Sequence, residues 1–282
     1  HCDAGMALYA PARHHAHVAQ YWMDPGVGCL CYGAWALACL GQPDRAVQRV
    51  AQALALAREA GHDFSLAYAV FFAAVVHHLR REAEPARGHA QALLDLSRDK
   101  GFPALQAWAT LLLGCALAHD GRASEGSALV RQAHHATHAA GARVSRSASL
   151  AELASVCLRA GQTGQGLAAV DEGLAFVVHS DERFYEAELL RVRGELRLQA
   201  GAPEAAALDN FRQALAVARQ QQGRLWELRA ATSLARLRQR QGQPALAISA
   251  LRELLQVRTE GLQTPDVVEA RALFDRAVGS QA

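Results

Sequence analysis

Apolar, helix-forming residues come in blocks along this chain, and the blocks are cut on a twenty-residue beat. Glycines able to end or join helices stand at Gly41, Gly61, Gly101, Gly121, Gly141, Gly161, Gly201, Gly242 and Gly261. Where the beat lacks a glycine, at Arg81, Asp181 and about Gly223, the surroundings are polar and turn-like. The pattern predicts helices of roughly sixteen residues joined by tight turns, each about 24 Å long at about 1.5 Å per residue. Taken in pairs, these helices repeat every forty residues, and six pairs fit between Asp24 and Gly261.

The small residues keep the same register. Seven residues before the turn inside each pair stand Ala34, Ala74, Gly114, Ala154, Gly194 and Ala235. Five residues after it stand Ala46, Ala86, Gly126, Gly166, Ala206 and Ala247. In the fifth pair one residue is inserted, so Ala207 and Phe211 restore the spacing. Small residues straddling a turn let two helices approach closely, which predicts antiparallel hairpins. Outside the six pairs, residues 1–23 read as the remnant of a preceding repeat plus a long loop. Residues 263–282 read as a capping helix begun by Thr264 and Pro265.

Composition narrows the class. Of 282 residues, 51% are hydrophobic but only 6% aromatic, and alanine and leucine dominate, which favours an all-α chain. A net charge of +2 with no long single-sign run argues against nucleic acid and membrane surfaces as partners. The uncharged run "PGVGCLCYGAWALACLG" is shorter than the about twenty residues of a membrane span and falls in register with the other helices. None of the six cysteines sits in a CxxC pair, so they read as free thiols of a cytoplasmic protein. The chain opens at His1 without a methionine and reads as part of a longer protein.

The paired small positions, with Ala207-x3-Phe211 in a second helix, resemble the tetratricopeptide repeat, although the period is forty rather than thirty-four. The resemblance implies a right-handed superhelical solenoid. The segments "DPGVGCLCYGAWALACLGQPDRAV", "GHDFSLAYAVFFAAVVHHLRR" and "TEGLQTPDVVEARALFD" are similar to the carboxy-terminal repeats of bacterial STAND-type ATPases and class III nucleotidyl cyclase signalling proteins. That resemblance implies a sensor or partner-binding arm beside an ATPase or cyclase domain. The chain itself carries no G-x-x-x-x-G-K-[ST] phosphate loop.

Carrying over the groove-facing positions of the tetratricopeptide family gives Cys31, Trp35, Cys39, Tyr68, Phe71, His78, Trp108, Leu111 and His119 from the first three pairs. Arg191, Arg229 and Arg236 come from the last two. The implied groove is apolar and aromatic in its amino-terminal half and charged, with arginine prevailing over Glu188 and Glu195, in its carboxy-terminal half, which suits a segment apolar at one end and acidic at the other. Aromatic side chains and arginine are frequent binding hot spots. The expected function is therefore a regulatory repeat arm binding a protein or peptide segment in its concave groove. The alternatives are a metabolite sensor with a pocket beside Trp35, Tyr68 and Trp108, and a self-assembly scaffold. No catalytic set, cofactor or metal site is expected. His134 and His138 read as a solvated pair, and Cys39, His78 and His119 fall at similar levels on three helices that stand too far apart to converge.

Overall fold

The computed structural model describes residues 1–14, 18–139 and 145–280, and among these every regular element is a helix. Three short helices come first: α1 (Cys2–Leu8), α2 (Pro11–His14) and α3 (Val18–Tyr21). The segment read as a loop at residues 10–23 thus contains two helical turns. Six hairpins follow: α4 (Pro25–Cys39) with α5 (Pro43–Ala60), α6 (Asp63–Leu79) with α7 (Ala83–Lys100), and α8 (Pro103–His119) with α9 (Ala123–Ala139). The remaining three are α10 (Arg146–Arg159) with α11 (Thr163–Ser180), α12 (Glu186–Gln199) with α13 (Glu204–Gln220), and α14 (Arg224–Arg240) with α15 (Pro244–Gln256); α16 (Pro265–Gly279) closes the stack.

Local chemistry explains the boundaries. Asp24 caps α4 by accepting from the Val27 amide at 3.0 Å, and Pro25 supplies the first helical residue. Arg81, Asp181 and Gln222 take the left-handed conformation that glycine takes at the other turns, with φ of 60°, 58° and 55°. The third break therefore lies at Gln222, one residue before Gly223. The beat at Gly141 falls outside the described residues. Thr264 precedes α16, but its hydroxyl donates to the Gly261 carbonyl at 2.7 Å instead of capping the helix.

The small register sits at the hairpin crossings. Ala34, Ala46, Ala74, Ala154, Ala207 and Ala235 are wholly buried. In the third hairpin the approach is closest: a Cβ on Gly114 would stand 2.8 Å from the Gly126 carbonyl oxygen, and a Cβ on Gly126 would collide with the Gly114 carbonyl. Only glycine at both positions lets these two helices touch backbone to backbone. First helices pack against first helices along the stack, and their inner faces enclose the concave interior.

The stack curls until its end meets its beginning. Arg229 of α14 donates to the Leu79 carbonyl at the end of α6 at 2.8 Å, and Arg81 pairs with Asp266 of α16 at 3.1 Å. The Gly261 amide donates to Asp44 at 2.8 Å, while the Asp44 and Arg45 amides donate to Glu260 at 2.9 and 3.0 Å. Those two amides are unpaired donors of the first turn of α5, so Glu260 satisfies them and meets the positive end of that helix. This closure, with α1, α5 and α6, supplies the neighbours that bury the uncharged α4.

Candidate functional site

The interior divides by level along the first helices. Their amino-terminal portions enclose an aromatic cavity of about 630 Å³ lined by Trp35, Tyr68, Phe71 and Trp108, with Phe64, Phe102 and Phe184 at helix starts. Trp35 meets Phe184 edge to face at 5.0 Å, and Phe71 meets Trp108 at 5.7 Å. The Tyr32 and Tyr68 hydroxyls share a 2.7 Å hydrogen bond. Burial, and then the Tyr32 hydroxyl, push the Tyr68 phenol above its ordinary range, so it stays a neutral donor. The Trp35 indole N–H is buried and has no acceptor among the described residues.

The carboxy-terminal portions of α6, α8 and α10, most of the length of α12 and α14, and the start of α16 line a second, charged cavity of about 360 Å³. His78, His119, Arg191, Arg229 and Arg236 line it, but so do Glu188, Glu195, Asp266 and Glu269. Arg191 holds Glu188 with two bonds of 2.7 and 2.8 Å. Arg229 reaches Asp266 at 3.1 Å, and Arg236 bonds Glu195 at 2.9 Å and also Glu269. Burial alone would raise the Glu188 and Asp266 carboxyls; Arg191 overrules it at Glu188, Arg229 and Arg81 at Asp266, and both are held below the usual range. Burial, then the charges of Arg159 and His78, lower the His119 imidazole to about 3 and keep it neutral.

The twelve expected groove residues therefore separate. Trp35, Tyr68, Phe71 and Trp108 meet in the aromatic cavity, and His78, His119 and the three arginines meet in the charged one. Cys31 and Leu111 line neither and are 0% and 1% exposed in the core. They share the register position of Phe71 and Arg191, ten residues before the turn. Cys39 also lines neither cavity; it packs on the core between them, where burial pushes its thiol up to about 12 against the pull of Arg229. The interior thus changes character between two levels of α6, α8 and α10 as well as along the chain. The three arginines face partners within the chain, two of which, Asp266 and Glu269, are on α16.

His134 corrects another expectation. It is 5% exposed and bonds the Ser149 hydroxyl at 3.0 Å, while the His138 side chain lies outside the described residues. The sequence reading missed Phe64, Phe102 and Phe184 in the cavity wall. A periodic signal marks them: each follows an inter-pair turn within three residues.

No family model matches the sequence, and no curated protein matches it significantly. The fold does match solved structures. The apo form of RapI is 14% identical over 89% of this chain and 84% of that chain, with a TM-score of 0.62. A Rap protein complexed with competence and sporulation factor is 16% identical over 84% of this chain and 65% of that one, with a TM-score of 0.60. The chain is a tetratricopeptide-like helical-repeat solenoid. A STAND protein with a tetratricopeptide repeat sensor from Pyrococcus horikoshii is 13% identical over 90% of this chain and 38% of that one, with a TM-score of 0.49. No helix among the described residues of the solenoid is long and apolar enough to cross a membrane.

Proposed function

We propose that this solenoid is a regulatory interaction arm whose aromatic cavity takes an apolar side chain, or a short apolar stretch, of a partner protein or peptide. The carrying observation is the cavity itself: about 630 Å³ walled by Trp35, Tyr68, Phe71 and Trp108. Aromatic pockets of this kind accept the anchor residues of binding segments. The similarity to a Rap protein complexed with competence and sporulation factor supports the reading, since that relative binds a factor with the same fold. In a cytoplasmic bacterial signalling protein the effector would be an adjoining ATPase or cyclase domain. An occupant that fits one arrangement of the arm better than another would bias that domain by the difference in affinity.

The test is selection of peptide binders from a random display library. Trp108→Ala should weaken the selected peptides by about 2 kcal/mol, or roughly thirtyfold, as an anchor-pocket residue does. Arg212→Ala on the outer surface should leave them unchanged. Peptides that bind equally well without Trp108 would remove the cavity from the function. The volume also suits a small apolar metabolite, since ligand pockets span about 300–1,000 Å³. Metabolite pools that raise the melting temperature of the wild type but not of Trp108→Ala would favour that second reading.

A further inference from the structure

His78, Cys115 and Glu152 stand apart from the arginine network of the charged cavity. They come from α6, α8 and α10, three successive first helices, and are spaced thirty-seven residues apart at each step. Their ligand atoms all lie within 4.8 Å of one another. His78 Nε2 is 3.0 Å from one Glu152 carboxylate oxygen, and Cys115 Sγ is 3.6 Å from the other. A tetrahedral ion with bonds of about 2.0–2.3 Å holds its ligand atoms about 3.3–3.8 Å apart, so small side-chain shifts would seat one among these three. Cys115 is 1% exposed, which keeps the cluster out of bulk water.

The donor set selects the class of ion. One imidazole, one sulfur and one carboxylate suit a borderline-soft divalent ion such as zinc or cobalt; calcium and magnesium require oxygen. A thiolate and a carboxylate together neutralise the two positive charges. Arg159 opposes the burial and the Glu152 charge that keep the Cys115 thiol protonated. Arg229, the other nearby cation, is already paired with Asp266 and Glu188. His119 stands one turn beyond Cys115 on the same face of α8, its ring 6.2 Å from that of His78.

We propose that His78, Cys115 and Glu152 bind a zinc-class divalent ion, with His119 placed to supply the fourth ligand. The ion would pin α6, α8 and α10 together at the charged level of the interior. It does not depend on what occupies the aromatic cavity.

The test is titration of chelator-treated protein with Co²⁺ and displacement by Zn²⁺. One equivalent of Co²⁺ should give the visible bands of tetrahedral cobalt and a sulfur-to-cobalt charge-transfer band, both bleached by Zn²⁺. Cys115→Ser should abolish the charge-transfer band and weaken binding at least about tenfold, and Glu152→Gln should weaken it similarly. Cys157→Ser, which removes another buried thiol, should change neither. His78→Gln keeps every cysteine and should still weaken binding, which covers the case in which Cys115→Ser does not fold by circular dichroism. Absence of a charge-transfer band in the wild type would overturn the site, as would a band that survives Cys115→Ser or binding unchanged in His78→Gln.

Discussion

Arg229 should be the residue whose loss most weakens the closure of the solenoid. Its side chain is 15% exposed, lies 5.3 Å from the centre of the Trp226 ring and makes three polar contacts at once. It pairs with Asp266 at 3.1 Å, donates to the Leu79 carbonyl at 2.8 Å and lies 3.7 Å from Glu188. Arg229→Met keeps the apolar stem and removes the charge. Breaking a buried pair by removing one partner costs about 3–5 kcal/mol, mostly because the other charge is left uncompensated. Here Asp266 keeps Arg81 and Glu188 keeps Arg191, so the lower end applies, about 3 kcal/mol. For a chain of this size that lowers the melting temperature by roughly 6–12 °C. Repeat stacks need not unfold in one step, so hydrogen exchange is the more direct assay. The Gly261, Asp44 and Arg45 amides, all donors across the closure, should exchange faster in Arg229→Met. Arg212→Met, at an exposed position, should cost less than about 0.5 kcal/mol. If Arg229→Met matches Arg212→Met in melting temperature and in Gly261 exchange, closure does not rest on this network.

Two further predictions test the packing and the charges. Gly114→Ala should destabilise by about 1–2 kcal/mol, because overpacking against the Gly126 carbonyl outweighs the gain in helix propensity; Gly88→Ala, with open space around it, should stabilise by up to about 1 kcal/mol. Urea midpoints that move in the same direction for both would refute the backbone contact in the third hairpin. Asp266, whose carboxyl is held below 3.8 once Arg229 and Arg81 offset its burial, contributes stability that is full above that value and lost as the pH falls through its lower folded value. Asp266→Asn should therefore be weaker than wild type at pH 7, with the gap narrowing in acid. A gap independent of pH would mean that the Asp266 charge does not stabilise the closure.

The parts of this molecule that were legible in the sequence are those set by neighbours along the chain. A left-handed residue ends most of the hairpin helices, so the breaks at Arg81 and Asp181 could be placed without glycine, by spacing alone. The crossing positions, Ala34 against Ala46 or Gly114 against Gly126, were legible because any larger side chain there would force the hairpin open. The aromatic wall was half legible, since Trp35, Tyr68, Phe71 and Trp108 share a helix face while Phe64, Phe102 and Phe184 enter from the turns. The closure left no local mark. Asp44 and Gly261, or Arg81 and Asp266, are paired only because the superhelix returns on itself, and its pitch accumulates from small rotations that no single repeat displays. The same distance effect misread the arginines. Glu188 and Glu195 lay close enough in sequence to be seen beside Arg191, but Asp266 and Glu269 belong to the capping helix, which doubles as the counter-charge of the interior. An arginine-rich groove read from one helix at a time therefore overstates its appetite for acidic ligands. Whether it is free depends on the far end of the chain, so groove charge in a curled solenoid has to be counted around the whole turn.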